Sequence, residues 1–291
     1  MRAPPPDEDR PVEEPEAGYA LVAAVVGLAL FAGIAVTALT ATRAQIETGR
    51  GEILRAKALA AADAGIAITL HDLVSRDPAA IDALDGRTRV LSYEAAELSA
   101  RIVDEKGKIP LNAIDDATVT RLFEQLGLQG EALETARDSL LDWIDDDEDV
   151  RPIGAETAYY APFGIAPRNS GLQSLGELAR IRGIGPVLAA RMAPFVSVDP
   201  DALSFDPAHA DPRAIAVMTE GGADSVAAIA AAREQAGQRT ALGFGDAKAL
   251  VGRPLTIAVD AVLSGGGRAH REAQVIITAN AAHPFLIRAW H

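Results

Sequence analysis

"YALVAAVVGLALFAGIAVTALTAT", residues 19–42, runs for 24 residues without a charged side chain. As an α-helix it measures about 36 Å at ~1.5 Å per residue, enough to cross a hydrocarbon core of roughly 30 Å. A buried core helix is seldom apolar on every side for so long, and runs of ~18 or more favour the membrane. A cleaved secretory signal has an apolar stretch of only ~7 to 15 residues behind a basic start. Here the preceding stretch, "MRAPPPDEDRPVEEPEAG", carries two arginines against six acids and is rich in proline, a composition expected to be disordered.

Beyond the span the helical pattern continues from Arg43 to about Arg76, where Asp77-Pro78 breaks it. Ile46, Ile53, Ala56, Ala60, Ala64 and Ala67 make a narrow stripe of small residues, which predicts close packing on another helix. Gly49, Gly51 and Gly65 interrupt the run and are expected to soften it. The pattern then changes to period two. Leu98, Ala100 and Ile102 alternate with Ser99, Arg101 and Val103, as a half-buried strand requires. "PLTIAVDAVL", "AHREAQVIITA" and "FLIRAWH" near the C-terminus, separated by "SGGGR" and "NAAHP", predict a three-stranded antiparallel meander.

Between these strand regions, Asn112 to Gly252 reads as a helical insertion. Val119, Leu122, Phe123 and Leu126 share one helical face, and Leu133, Ala136, Leu140, Leu141 and Ile144 share the next. Ser174 and Glu177 form a capping-box pattern before "LARIRGIGPVLAARM", which reads as helix, tight hairpin, helix. That stretch, with Gly183, Ile184, Gly185 and Pro186 at its turn, resembles a helix-hairpin-helix. Its second helix start could grip a phosphate with help from Arg180, Arg182 and Arg191, or the glycines could simply let two helices pack closely. The formal charge of −14, from 27 basic and 41 acidic residues, speaks against a dedicated nucleic-acid binder, and no nucleic-acid partner is expected. The chain has no cysteine, which excludes disulfides, thiol nucleophiles and thiolate zinc sites. The five histidines are scattered, and the Asp115-Asp116 pair sits where acids complement a helix dipole, so no enzymatic activity is expected.

"DEKGKIPLN" (104–112), "LLDWIDDDED" (140–149), "GAETAYY" (154–160), "RNSGLQSLGELARIRGIG" (168–185) and the terminal strand block together resemble the minor pseudopilin K family of type II secretion systems. The resemblance implies an α+β, pilin-like fold: a long N-terminal transmembrane helix packed on an antiparallel sheet, with a large α-helical, helix-hairpin-helix-like insertion. It divides the chain into a leader (1–18), membrane helix (19–42), periplasmic helix with the first strands (43–111), helical insertion (112–252) and C-terminal strands (253–291). It further implies a prepilin peptidase that cleaves after Gly18 and methylates Tyr19, an inner-membrane single-pass anchor with a periplasmic C-terminal domain, and other minor pseudopilins as partners at a pseudopilus tip. A count of flanking charges points the other way, with Arg43, Arg50, Arg55 and Lys57 after the span and only Arg2 and Arg10 before it. Position five after the cut is Ala23, where most pilins have a glutamate that neutralises the neighbouring subunit's amine. A subunit lacking that acid suits the filament tip. The runner-up, a membrane-anchored helix-hairpin-helix DNA receptor, would share the single span and the hairpin.

Residues 145–149 place five acids in a row at a predicted helix C-terminus, the end that favours cations. Asp145, Asp147, Asp149 and Glu156 reproduce the one, three, five, twelve carboxylate spacing of an EF-hand, but Val150 replaces the turn glycine at position six. A looser Ca²⁺ loop, which the resemblance also implies, and a merely solvated acidic loop are the remaining readings. The ligand candidates are Asp145, Asp147 and Glu156, followed by Asp149 and Asn169.

Overall fold

A computed structural model describes residues 16–75, 88–207, 210–220, 222–235 and 250–291. Residues 1–15 of the expected leader and the Asp77-Pro78 break lie outside the described residues. The apolar run belongs to one continuous helix, α1 (Glu16–Ser75), whose first turn holds Gly18 and Tyr19. It is long and apolar enough to cross a membrane, and its large apolar side chains from Leu21 to Leu39 are exposed. The chain divides into two units, 1–54 and 55–291, and the remaining elements belong to the second.

Among the described residues, seven strands follow in chain order: β1 (Arg89–Tyr93), β2 (Ala96–Asp104), β3 (Ile109–Pro110), β4 (Val196–Ser197), β5 (Pro254–Leu263), β6 (Arg268–Ile277) and β7 (Phe285–Trp290). Five of them form an antiparallel sheet in the order β1-β2-β5-β6-β7, while β3 and β4 pair in parallel by themselves. The alternation of β2 is realised in full, with Ala96, Leu98, Ala100, Ile102 and Asp104 buried. Leu98, Ala100 and Ile102 stand opposite Ala261, Val259 and Ile257 of β5.

The second half of α1 covers this apolar face with Ala58, Ala61, Ala62, Ile66, Thr69, Leu70 and Leu73, all buried and recurring every three or four residues apart from the adjacent pairs Ala61-Ala62 and Thr69-Leu70. This is not the stripe that the small residues suggest: Ile46, Ile53, Ala56, Ala60 and Ala67 are exposed. In an alanine-rich helix every face carries alanine, so the large residues Ile66, Leu70 and Leu73 decide which side is buried. Gly65 has a packing role rather than a softening one. A Cβ there would sit 2.8 Å from Val259 Cγ1 and 3.1 Å from Leu98 Cδ1, so its absence lets helix and sheet meet closely. Trp290 Nε1 donates to Asp63 of α1 (3.0 Å), and Asp72 pairs with Arg89.

Between β2 and β5 stand α2 (Asp116–Gln125), α3 (Gly130–Ile144), α4 (Thr157–Tyr160), α5 (Gly185–Met192), α6 (Pro212–Met218) and α7 (Gly222–Gln235). Their apolar core draws on residues from Ile109 to Val217 and includes Val119, Leu122, Phe123, Leu140, Tyr160 and Leu178. The Ser174 capping box is present, with Glu177 Oε1 accepting from Ser174 N (3.1 Å), but it opens a 3-10 helix (Leu175–Arg180) rather than an α-helix. The insertion meets the sheet through buried charge. Arg253 binds Asp104 Oδ2 (2.6 Å) and Asp206 Oδ2 (2.9 Å), while Glu105 accepts from Lys108 Nζ, Ser197 Oγ and Thr256 Oγ1 at 2.7, 2.6 and 2.6 Å. Buried Asp104 is thus paired and buried Glu105 multiply hydrogen-bonded, as burial of charge demands.

Candidate functional site

α3 ends with Asp145 as its C-cap, its N–H donating to Leu141 O (3.1 Å), and no basic residue lies in its last turn. One side of the helix carries Asp138, Asp142 and Asp145 at i, i+4 and i+7. Asp138 and Asp142 are buried and hold the returning chain: Asp142 accepts from Arg151 N (3.3 Å) and Asp138 from Ile153 N (3.3 Å). Gly154 then passes so close that a Cβ would overlap the Asp142 carboxylate, a site where only glycine fits. The turn delivers Glu156 to the N-cap of α4, and α4 is fixed by buried Tyr160, whose ring meets Trp143 edge-on at 5.1 Å.

This geometry brings oxygens of Asp145, Asp147 and Glu156 within 4.8 Å of one another. Glu156 is only 5 % exposed, yet neither of its carboxylate oxygens has a hydrogen-bond partner among the described residues. The buried Oδ1 atoms of Asp145 and Asn169 are equally unpartnered. Asn169 adopts a left-handed backbone (φ 46°) and donates from Nδ2 to Asp147 O at 2.6 Å, which leaves its Oδ1 free as an acceptor. Asp149 stands apart from the group: its side chain is exposed, and only its backbone N–H takes part, donating to Asp147 Oδ1 at 2.8 Å. The EF-hand spacing therefore does not carry its fifth position into the carboxylate group.

Charge accumulates where there is little water to spread it. Burial, and after it the neighbouring Asp142, Asp145, Glu148 and Asp147, push Glu156 up to about 7. Burial also raises Asp145, outweighing the opposing guanidinium of Arg151. Burial alone would lower Arg151, but its hydrogen bonds to Asp145 and Asp142 raise it instead. Four buried acceptor atoms without a donor are an unusual concentration, since such groups cost about 1–3 kcal/mol each when unsatisfied. Hard oxygen donors of this kind, carboxylate and amide together in a loop, match the ligand chemistry of Ca²⁺.

Asp138, Asp142 and Arg151 were not candidates from the sequence, although they build the turn. The available signal was an acid repeated every three or four residues on a helix face that also carries Leu141.

The hairpin is a packing device in this structure. Gly183 has φ 80°, and a Cβ there would lie 2.9 Å from Ala136 N, so the turn rests directly on α3. Arg182 Nη1 donates to Gly154 O (2.9 Å), with its guanidinium over the Tyr159 ring, and Arg191 Nη2 donates to Leu126 O (2.8 Å). Two of the three arginines that a phosphate would need are thus committed to carbonyls of the chain itself.

Among known families, Type II secretion system (T2SS), protein K matches residues 90–201. A chain of the crystal structure of the GspK-GspI-GspJ complex from the enterotoxigenic Escherichia coli type 2 secretion system shares the fold with a TM-score of 0.51 at 15% identity. The match covers 86% of this chain and 98% of that one. No curated protein matches.

Proposed function

We propose that this chain, whose residues 90–201 match the type II secretion system protein K family, is a minor pseudopilin that sits at the pseudopilus tip and helps initiate the filament for protein export. The observation that carries the reading is the family match over the β1-to-β4 region, on a fold that joins a membrane-length helix to an antiparallel sheet. The similar structure is of a complex of GspK with GspI and GspJ, and other minor pseudopilins are the partners inferred for this chain. α1 anchors it in the inner membrane with the second unit in the periplasm. The exposed face with Ala56, Ala60 and Ala67 is available to neighbouring helices. Ala23, without a carboxylate for a subunit stacked above, fits the top of the filament. A prepilin peptidase cleaves after Gly18 and methylates Tyr19. Mass spectrometry of the mature N-terminus reads both steps together.

Assembly is tested with the region beyond Arg43 mixed with the other minor pseudopilins of the same system. Co-elution in one stable complex is expected. Partners that associate fully while this chain elutes alone would remove the reading.

Ca²⁺ is proposed as the ion of the acidic loop, held by Asp145, Asp147, Glu156 and Asn169, with water or backbone carbonyls completing its shell. The ion supplies positive charge that braces the loop, and the chain's own residues supply the shape. Thermal unfolding should shift upward with Ca²⁺ relative to a chelator, because a ligand specific for the folded state stabilises it. Identical midpoints would dismiss the ion.

A further inference from the structure

We infer that Arg151 is the positioning residue of this cation site, fixing which oxygen of Asp145 faces the ion; the inference rests on the Ca²⁺ reading above. Arg151 Nη1 bridges Asp142 Oδ1 (3.1 Å) and Asp145 Oδ2 (2.7 Å). Asp142 is 0% exposed and also accepts from the Arg151 backbone N–H, so the guanidinium is moored to a carboxylate that cannot turn toward water. Asp145, at the C-cap of α3, would otherwise be free to rotate its carboxylate or to chelate with both oxygens. With Oδ2 held, only Oδ1 remains, and it is buried and unpartnered.

Arg151 does not itself fill the site. It is the one guanidinium hydrogen-bonded to any of Asp142, Asp145, Asp147 and Glu156 among the described residues, yet both Glu156 oxygens and Asn169 Oδ1 stay without a partner. Those orphaned acceptors, on a glutamate only 5 % exposed, point to a second cation that the arginine leaves room for. Arg151 thus works behind the ligands, as outer hydrogen-bond partners do in metal sites generally.

The test uses the full chain in detergent micelles with Tb³⁺ as the probe. Trp143, two positions before Asp145, sensitises its emission, and W143F is the control for that transfer. The wild-type chain should give Trp-sensitised emission that Ca²⁺ displaces. Emission lifetimes in H₂O and D₂O count the waters on the ion. R151Q should bind Tb³⁺ about ten- to a hundredfold more weakly and change the water count, because Asp145 is released. R151K, which keeps a donor able to bridge the two aspartates, should recover part of the affinity. Should R151Q unfold, D142N removes the mooring of the guanidinium and carries the same expectation. R151Q, or D142N in its place, binding as tightly as wild type or tighter with an unchanged water count overturns the positioning role. Wild-type chain without Ca²⁺-displaceable emission overturns the Ca²⁺ reading itself.

Discussion

Asp115 and Glu156 are both acids at the N-cap of a helix, and their surroundings drive them in opposite directions. Asp115 is exposed and accepts from Thr118 N at 2.7 Å, a bond that holds its carboxyl below the ordinary value of 3.8. Its stabilisation is complete above that value and is lost as pH falls through the lower folded one. Asp115→Ala should therefore cost about 1 kcal/mol near neutral pH, and the difference from wild type should close in strong acid, as read by urea unfolding at about pH 7 and about pH 2. Glu156 behaves inversely, rising from 4.5 to about 7 without a donor. Below 4.5 both folded and unfolded forms hold the proton; as pH rises toward 7 the unfolded chain releases it first, so stability falls. In chelator the unfolding midpoint should decline across that window, and Ca²⁺ should flatten the slope. The sequence makes the cap at Asp115 legible, since an acid before a helical run is a local pattern. The burial of Glu156 is not legible, because it depends on Asp138 and Asp142 drawing a later turn onto α3. Asn169 was readable only as a lesser candidate: asparagine tolerates a left-handed backbone better than most residues, but the residue type alone does not say where one is needed.

At the scale of elements, β2 and β5 to β7 announce themselves because alternation of apolar and polar residues is a property of the strand itself. β1 does not. It is a half-exposed edge strand of five residues, "RVLSY", with weak contrast between its faces. β3 and β4 are two residues each and exist only because Ile109 and Val196 meet across the insertion. The burial face of α1 is likewise decided by its partner, and Gly65 shows how closely the two approach. Gly65→Val tests this contact: valine improves helix propensity by a few tenths of a kcal/mol, but its branched side chain must displace Val259 and Leu98. Overpacking of about 1–3 kcal/mol outweighs the gain, so a lower thermal midpoint is expected. An unchanged or raised midpoint would mean that helix and sheet are less tightly joined than their geometry indicates.

For the whole molecule, α1 should govern how the chain partitions. The full chain is expected to stay in the membrane fraction through alkaline carbonate extraction, while a form starting at Arg43 is released, because a single span of this length resists removal. The remaining architecture has a consequence in time rather than in space. β2 and β5 are adjacent in the sheet, yet the entire helical insertion separates them along the chain. Among the described residues, the buried core of that insertion runs from Ile109 to Val217, with Met218, Val226 and Ile229 packed against it, and draws nothing from the five-stranded sheet. It can therefore consolidate before Pro254 to Trp290 have been synthesised. The sheet, by contrast, must await the last strands, because distant pairings carry the largest loop-closure entropy and form slowly. A prefolded insertion shortens that search by bringing Asp104 to Arg253. The order of events follows: helices first, then the Arg253 latch, and only afterwards a complete five-stranded sheet for α1 to cover.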